Sequence, residues 1–193
     1  MNKELVDWQK IDPSNGLCYP WLTHPFLQVL ERWDLSNMRV VEYGGGRSTA
    51  WLRKKCEIVV TIETKWEFYM EIKAECAEHQ LSNGLVLLKE VNEGDRTKER
   101  QYVEAPMEFV GELTYDIVIV DGIFRYECMR YAIDILLQKG GILIVDNWHQ
   151  DGFLCPACED LVRDYEGYIF PQEDHTDHHG NCWKTAYFVI PKA

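Results

Sequence analysis

Three glycines stand between an apolar run and a hydroxyl pair in VVEYGGGRSTAWL, residues 40–52. A turn of Gly44, Gly45 and Gly46 lets the backbone approach a ligand that side chains would hold off. Ser48 and Thr49 would then open a helix, where free N–H groups and hydroxyls can bind a carboxylate or a phosphate. The neighbours of the turn narrow the ligand. A P-loop needs Gly-Lys-Ser/Thr after its glycines, and Gly46-Arg47-Ser48 with no earlier glycine at the required spacing does not match. A dinucleotide fingerprint comes closer. Gly44 and Gly46 match its first two glycines, Thr49 replaces the third, and Glu63 follows Gly44 by 19 residues, near the spacing of a ribose-binding acid. Glu42 shifts the balance. A carboxylate two residues before the turn would repel a pyrophosphate and attract a cofactor carrying an ammonium and a sulfonium.

A second cluster lies near the C-terminus. Cys155-Pro-Ala-Cys158 precedes His175, His178, His179 and Cys182. A Cys-x2-Cys pair followed by His178-x3-Cys182 is a set that zinc accepts. Cysteine is also often an inert buried residue, and the three histidines could instead form a polar loop.

These residues need a scaffold, and the chain alternates its elements. Residues 25–33 read as an amphipathic helix and MRVVEY as a buried strand. Residues 48–55 read as a helix and IVVTIE as a second strand ending on Glu63. Residues 66–80 have helical spacing and stop at SNG. LVLLKEV is a third strand, and polar residues 92–100 are expected to be a loop. YDIVIVD is a fourth strand, residues 125–138 a helix stopped by Gly140-Gly141, and ILIVD a fifth strand. Residues 158–165 could form another helix, and GYIF and TAYFVI two final strands. Short β-branched strands separated by helices call for a parallel sheet covered on both faces. Ligands in such sheets bind beyond the carboxyl ends of the strands. Those ends carry Glu42, Glu63, Asp121, Asp146 and Asn147. One acid after a strand is an ordinary turn or cap residue. A recurring set along one edge is harder to dismiss.

The chain has 193 residues, enough for one domain, taken as residues 1–193. Its net charge of −12 opposes broad binding to phosphate backbones, so nucleic acid is disfavoured as a partner. Arg53, Lys54 and Lys55 fit the last turn of a helix, where cations favour the dipole. No apolar run approaches the roughly 20 residues of a membrane helix. Seven cysteines after a start without a signal peptide suggest a reduced, cytoplasmic protein.

Four stretches in order carry a resemblance. VVEYGGGRST is similar to the first motif of class I S-adenosylmethionine (SAM)-dependent methyltransferases, E/D-x-G-x-G. Glu63 matches their second-strand acid, YDIVIVDG their fourth-strand motif, and LLQKGGILIVDN their fifth. Pro20-Trp21-Leu22, Trp66 and Asp121-Gly122-Ile123-Phe124-Arg125 resemble a sparsely characterised branch of that family. The likeness spans roughly residues 20–190. It implies a Rossmann-like, doubly wound α/β fold with a mostly parallel seven-stranded sheet, a reversed C-terminal hairpin, and a helical segment over residues 1–36 covering the site. It also implies that Glu42, Gly44, Gly45, Gly46, Ser48, Thr49, Glu63 and Trp66 hold SAM, with Glu63 on the ribose diol and Trp66 on adenine. Trp66 could equally be a core residue of its helix.

The same resemblance puts Asp121 beside the transferred methyl, as a base, a positioner of the acceptor or a metal ligand. Arg125, four residues on, would hold an anionic group of the acceptor or pair with Asp121. His149 is a further candidate base. Asp121, Asp146 and Asn147 resemble the metal trio of catechol-type O-methyltransferases, a set of oxygen ligands that suits Mg²⁺. The expected activity is methyl transfer to a small-molecule acceptor, with a hydroxyl mildly favoured. The alternatives are an NAD(P)-dependent oxidoreductase and a non-catalytic cofactor-binding protein of the same fold.

Overall fold

The computed structural model describes residues 10–92, 94–110, 114–148, 156–176, 180 and 182–191. Seven strands form one sheet: β1 Arg39–Tyr43, β2 Ile58–Glu63, β3 Gly84–Leu88, β4 Tyr115–Val120, β5 Leu137–Val145, β6 Glu166–Thr176 and β7 Cys182–Val189. The spatial order is β3-β2-β1-β4-β5-β7-β6. The first five run parallel, whereas β7 is antiparallel to both β5 and β6. The doubly wound sheet with its reversed hairpin is therefore the fold expected from the motifs.

Strand side chains alternate between two buried layers, as a period of two requires. Val41, Tyr43, Val118, Val120, Leu143 and Val145 enter the core on one face, and Val40, Ile117, Ile119 and Ile144 the core on the other. The second layer packs under α1 His24–Leu30, α2 Arg47–Lys55 and α3 Trp66–Glu78. The first receives α4 Arg96–Glu104, α6 Arg125–Tyr131 and α7 Pro156–Val162, and the short α5 Met107–Val110 follows α4.

Four local expectations change. Residues 92–100 contain the start of α4 rather than a loop. The Asp95 carboxylate caps it, accepting from Thr97 N at 3.0 Å and Lys98 N at 3.2 Å. Only Tyr102 and Val103 are buried along it, so its apolar stripe is too narrow to stand out in a polar sequence. The helix expected over 125–138 stops earlier. It passes from α6 into a π-helical segment, Ala132–Leu136, and becomes extended at Leu137, before the Gly140-Gly141 signal. Helix α3 stops at Glu78, two residues before the end expected at Gln80, which takes left-handed backbone (φ 56°). Finally, the described part of the N-terminal segment is not broadly helical. Between residues 10 and 36 it contains α1 alone, preceded by turns and an Ile11–Cys18 bridge. Asp12, 1 % exposed, pins those turns to α2 by accepting from Trp51 Nε1 (2.9 Å) and pairing with Lys55 (3.2 Å).

Candidate functional site

The three glycines have different reasons to be glycine. Gly44 adopts φ +88°, and a Cβ there would lie 2.7 Å from Gly122 N on the β4–α6 turn. A Cβ on Gly45 would lie 2.5 Å from Ile72 Cδ1 and 2.7 Å from Thr61 Cγ2. Both positions are fixed by packing inside the chain. Gly46 is extended (φ 178°), and nothing lies within 4 Å of its missing side chain. A cavity of about 100 Å³ opens there, between the glycine turn, Arg47 and Ser48 at the start of α2, residues 20–22, and Asp121.

Two acids flank the turn. Glu42 is 1 % exposed, and its Oε2 accepts from the Thr49 hydroxyl at 2.6 Å and the Thr61 hydroxyl at 3.0 Å. Burial pushes its carboxyl up to about 6, against the pull of hydrogen bonds from Ser48, Thr49 and Thr61. Thr49 is wholly buried, so its hydroxyl holds Glu42 instead of facing a ligand. Glu63 ends β2. Its Oε1 accepts from Thr64 N (2.6 Å) and Lys65 N (2.8 Å), and its Oε2 from Gly45 N (3.1 Å). It thus ties the second strand to the glycine turn; the Thr64 hydroxyl adds a fourth bond, to Oε1 at 3.3 Å, and Oε2 keeps a lone pair. Trp66 opens α3 and is 53 % exposed, with its ring 5.6 Å from that of Tyr69. It is not a core residue of that helix.

Across Asp121 lies a second cavity of about 300 Å³, bordered by Trp21, Arg125, Asp146, Asn147, His175 and Trp183. Asp121 and Trp21 border both cavities. Burial and the neighbouring Asp146 push the Asp121 carboxyl well above its ordinary range, against the opposing pull of Arg125. Asp146 accepts from Trp183 Nε1 at 3.0 Å and the Thr185 hydroxyl at 2.6 Å. Its carboxyl is pushed up to about 6, chiefly by burial, with those two bonds opposing. Thr185 in turn accepts from Thr23 N at 3.1 Å, and Gln172 Oε1 accepts from His24 N at 2.7 Å. These bonds stitch the segment carrying Trp21 onto the C-terminal hairpin.

Arg125 is 5 % exposed. Its Nε donates to Gly122 O (2.9 Å), and its Nη1 donates to Asp146 O. Its Nη2 faces Asp121 O (2.9 Å), Asp121 Oδ1 (3.2 Å) and Asn147 Oδ1 (3.0 Å). Of the two roles expected for it, pairing with Asp121 matches this geometry.

The Mg²⁺ expectation is not met by the residues present. A guanidinium lies among Asp121, Asp146 and Asn147, and the Asp146 carboxylate is taken by Trp183 and Thr185, so the trio does not fit Mg²⁺. Of the zinc set, Cys158 is 1 % exposed and packed into the core beneath α7, while Cys182 opens β7. Cys155 and His178 lie outside the described residues, as does His149. Among the described residues no group of three His, Cys, Asp or Glu could hold a metal ion.

Sequence reasoning passed over Trp183, Thr185 and Gln172. Their signal was the reversed hairpin itself. A β7 antiparallel to β5 starts at the edge where β5 ends, so its first residues join the site.

No family model matches the chain, and no curated protein matches it in sequence. Solved structures do. An rRNA methylase from Streptococcus thermophilus superposes with a TM-score of 0.62 at 13 % identity, over 87 % of this chain and 97 % of the other. NodS, an N-methyltransferase from Bradyrhizobium japonicum, gives 0.58 at 12 % identity, over 86 % and 94 %. SMU.1697c from Streptococcus mutans, described as a methyltransferase candidate and solved with SAH, gives 0.59 at 10 % identity, over 86 % and 98 %. At these identities the likeness establishes a shared fold.

Proposed function

We propose that this chain is a SAM-dependent methyltransferase acting on a small-molecule acceptor, with a hydroxyl as the methylated group. The observation that carries the reading is the pair of cavities that meet at Asp121, one beside the Gly46 gap and one beneath Trp183. The first would take the cofactor. Gly46 leaves room for its methionine portion, Ser48 and the N–H groups opening α2 would take its carboxylate, and Glu63, at the end of β2 beside the glycine turn, would take the ribose diol. Trp66, exposed at the start of α3, would cover the adenine. Glu42 supplies negative charge behind the turn, which favours an ammonium and a sulfonium over a pyrophosphate and so disfavours NAD(P).

When bound, SAM supplies an electrophilic methyl group on a positively charged sulfur. The chain's part is to aim the acceptor and take its proton. Asp121 Oδ1 faces Arg125, leaving Oδ2 for an acceptor hydroxyl. A carboxyl raised above its usual range is a better base toward a hydroxyl than an ordinary aspartate. Arg125 directs its donors at the chain's own carbonyls and at Asp121, so the acceptor needs no anionic handle. The net charge of −12 and a cavity of about 300 Å³ fit a neutral small molecule in the cytoplasm better than a phosphate backbone.

The test is SAH release from SAM, with a panel of phenols and catechols on one side and tRNA and rRNA transcripts on the other. Turnover is expected with at least one hydroxyl compound. Methylation of the RNAs alone would overturn the small-molecule assignment. SAM binding with no turnover on any acceptor would favour a non-catalytic protein of this fold.

A further inference from the structure

We infer that the turns after β4 and β5 form a cation-binding nest that Arg125 fills from within the chain, so that the site is closed to divalent metal. At least five oxygens converge on one guanidinium, among them the carbonyls of Asp121, Gly122 and Asp146 and the side-chain Oδ1 atoms of Asp121 and Asn147. They come from two separate strand ends, and one planar fork spans both.

The backbone on each side is shaped to it. Among the described residues only three non-glycine residues have positive φ, and two of them flank this nest. Phe124 (φ 51°) immediately precedes Arg125, and Asn147 (φ 51°) presents one of these oxygens. Left-handed backbone is costly at an aromatic residue such as Phe124 and persists there where the surroundings enforce it. The charge arrangement agrees. The guanidinium side chain is 4 % exposed, and it meets the carboxylate of Asp121, a residue that borders both cavities. A buried cation that needed only an ion pair would not require three main-chain carbonyls from two turns. A planar five-donor group suits that set, whereas a spherical divalent ion would have to displace it first.

The experiment needs neither cofactor nor acceptor, so its outcome is independent of the methyltransferase reading. Wild-type protein is titrated with MnCl₂ by electron paramagnetic resonance and calorimetry. No binding at this site is expected at millimolar metal, and Mn²⁺ binding that Asp121→Asn abolishes would overturn the inference. Arg125→Ala is then melted with methylguanidinium chloride, methylammonium chloride or NaCl at matched ionic strength. A lowered melting temperature that methylguanidinium alone raises by several degrees is expected. A folded Arg125→Ala protein melting like wild type, or recovering equally in all three salts, would refute the nest. Should Arg125→Ala fail to fold, Arg125→Lys serves in its place. It keeps the charge without the fork and should melt well below wild type, and a wild-type melting temperature would refute the inference.

Discussion

Alanine placed at each of the three glycines should separate packing from ligand binding. At Gly44 the new Cβ meets backbone, 2.7 Å from Gly122 N, and sits on φ +88°. Left-handed strain costs about 1–2 kcal/mol and overpacking about 1–3 kcal/mol more. A domain of this size loses roughly 2–4 °C of melting temperature per kcal/mol, so Gly44→Ala should melt about 4–20 °C below wild type. At Gly45 the clash is with the end of Ile72 and the methyl of Thr61, at 2.5 and 2.7 Å. Those atoms can shift, so the loss should fall within about 1–3 kcal/mol. Gly46→Ala meets nothing within 4 Å on an extended backbone, and it should leave stability unchanged or raise it by up to about 1 kcal/mol. Its methyl would project into the space assigned to the cofactor, so SAH affinity should drop about tenfold or more, equal to about 1.4 kcal/mol. Differential scanning fluorimetry and calorimetry read the two effects separately. A Gly46→Ala protein that binds SAH like wild type, or a Gly44→Ala protein that melts like it, would refute the division.

Other outcomes follow from the carboxylates. Glu63→Gln should keep the fold and weaken SAM binding by roughly tenfold or more, since charge-assisted hydrogen bonds contribute about 1.5–3 kcal/mol each; unchanged affinity by calorimetry would remove Glu63 from the ribose site. Glu42 and Asp146 are both pushed up to about 6, so between their ordinary values near 4 and about 6 the folded chain holds more protons than the unfolded one. Stability should therefore fall as pH rises through that window, and the melting temperature should be higher at pH 5 than at pH 7. Asp12, shifted downward, loses its contribution only below that range. Glu42→Gln should flatten the pH dependence and raise the melting temperature at pH 7 while weakening SAM binding; an unchanged profile would contradict the burial argument. Asp121→Asn should leave SAH affinity within a fewfold of wild type and reduce turnover at saturating SAM, as expected of a group that serves the acceptor.

Strands β1, β2, β4 and β5 were legible because each carries a β-branched run whose alternate residues enter two cores. Val40 and Val41, or Ile117 and Val118, serve opposite faces. The glycine turn was legible as a motif but not as three separate constraints. Those depend on Gly122, Ile72 and Thr61, which lie far along the chain. Helix α4 escaped notice because only Tyr102 and Val103 bury, and the cap that starts it, Asp95, also reads as a turn residue. Arg125 was found by its distance of four residues from Asp121, but its partners Asp146 and Asn147 are more than twenty residues away. The Mg²⁺ reading failed for the same reason. The oxygen atoms were in the sequence, whereas the cation that meets them became visible only when β4 and β5 were brought side by side. Trp183 and Thr185 lie on a strand that enters the site against the direction of the others.

The central claim is that the cavity beside Gly46 holds an S-adenosyl cofactor. Isothermal titration of the wild-type protein with SAH, SAM and NAD tests it most directly. The account predicts saturable one-to-one binding of SAH and SAM, lost or strongly weakened in Gly46→Ala and Glu63→Gln, and no saturable heat with NAD. Binding of NAD without SAH or SAM would contradict it, as would SAH binding that neither substitution changes.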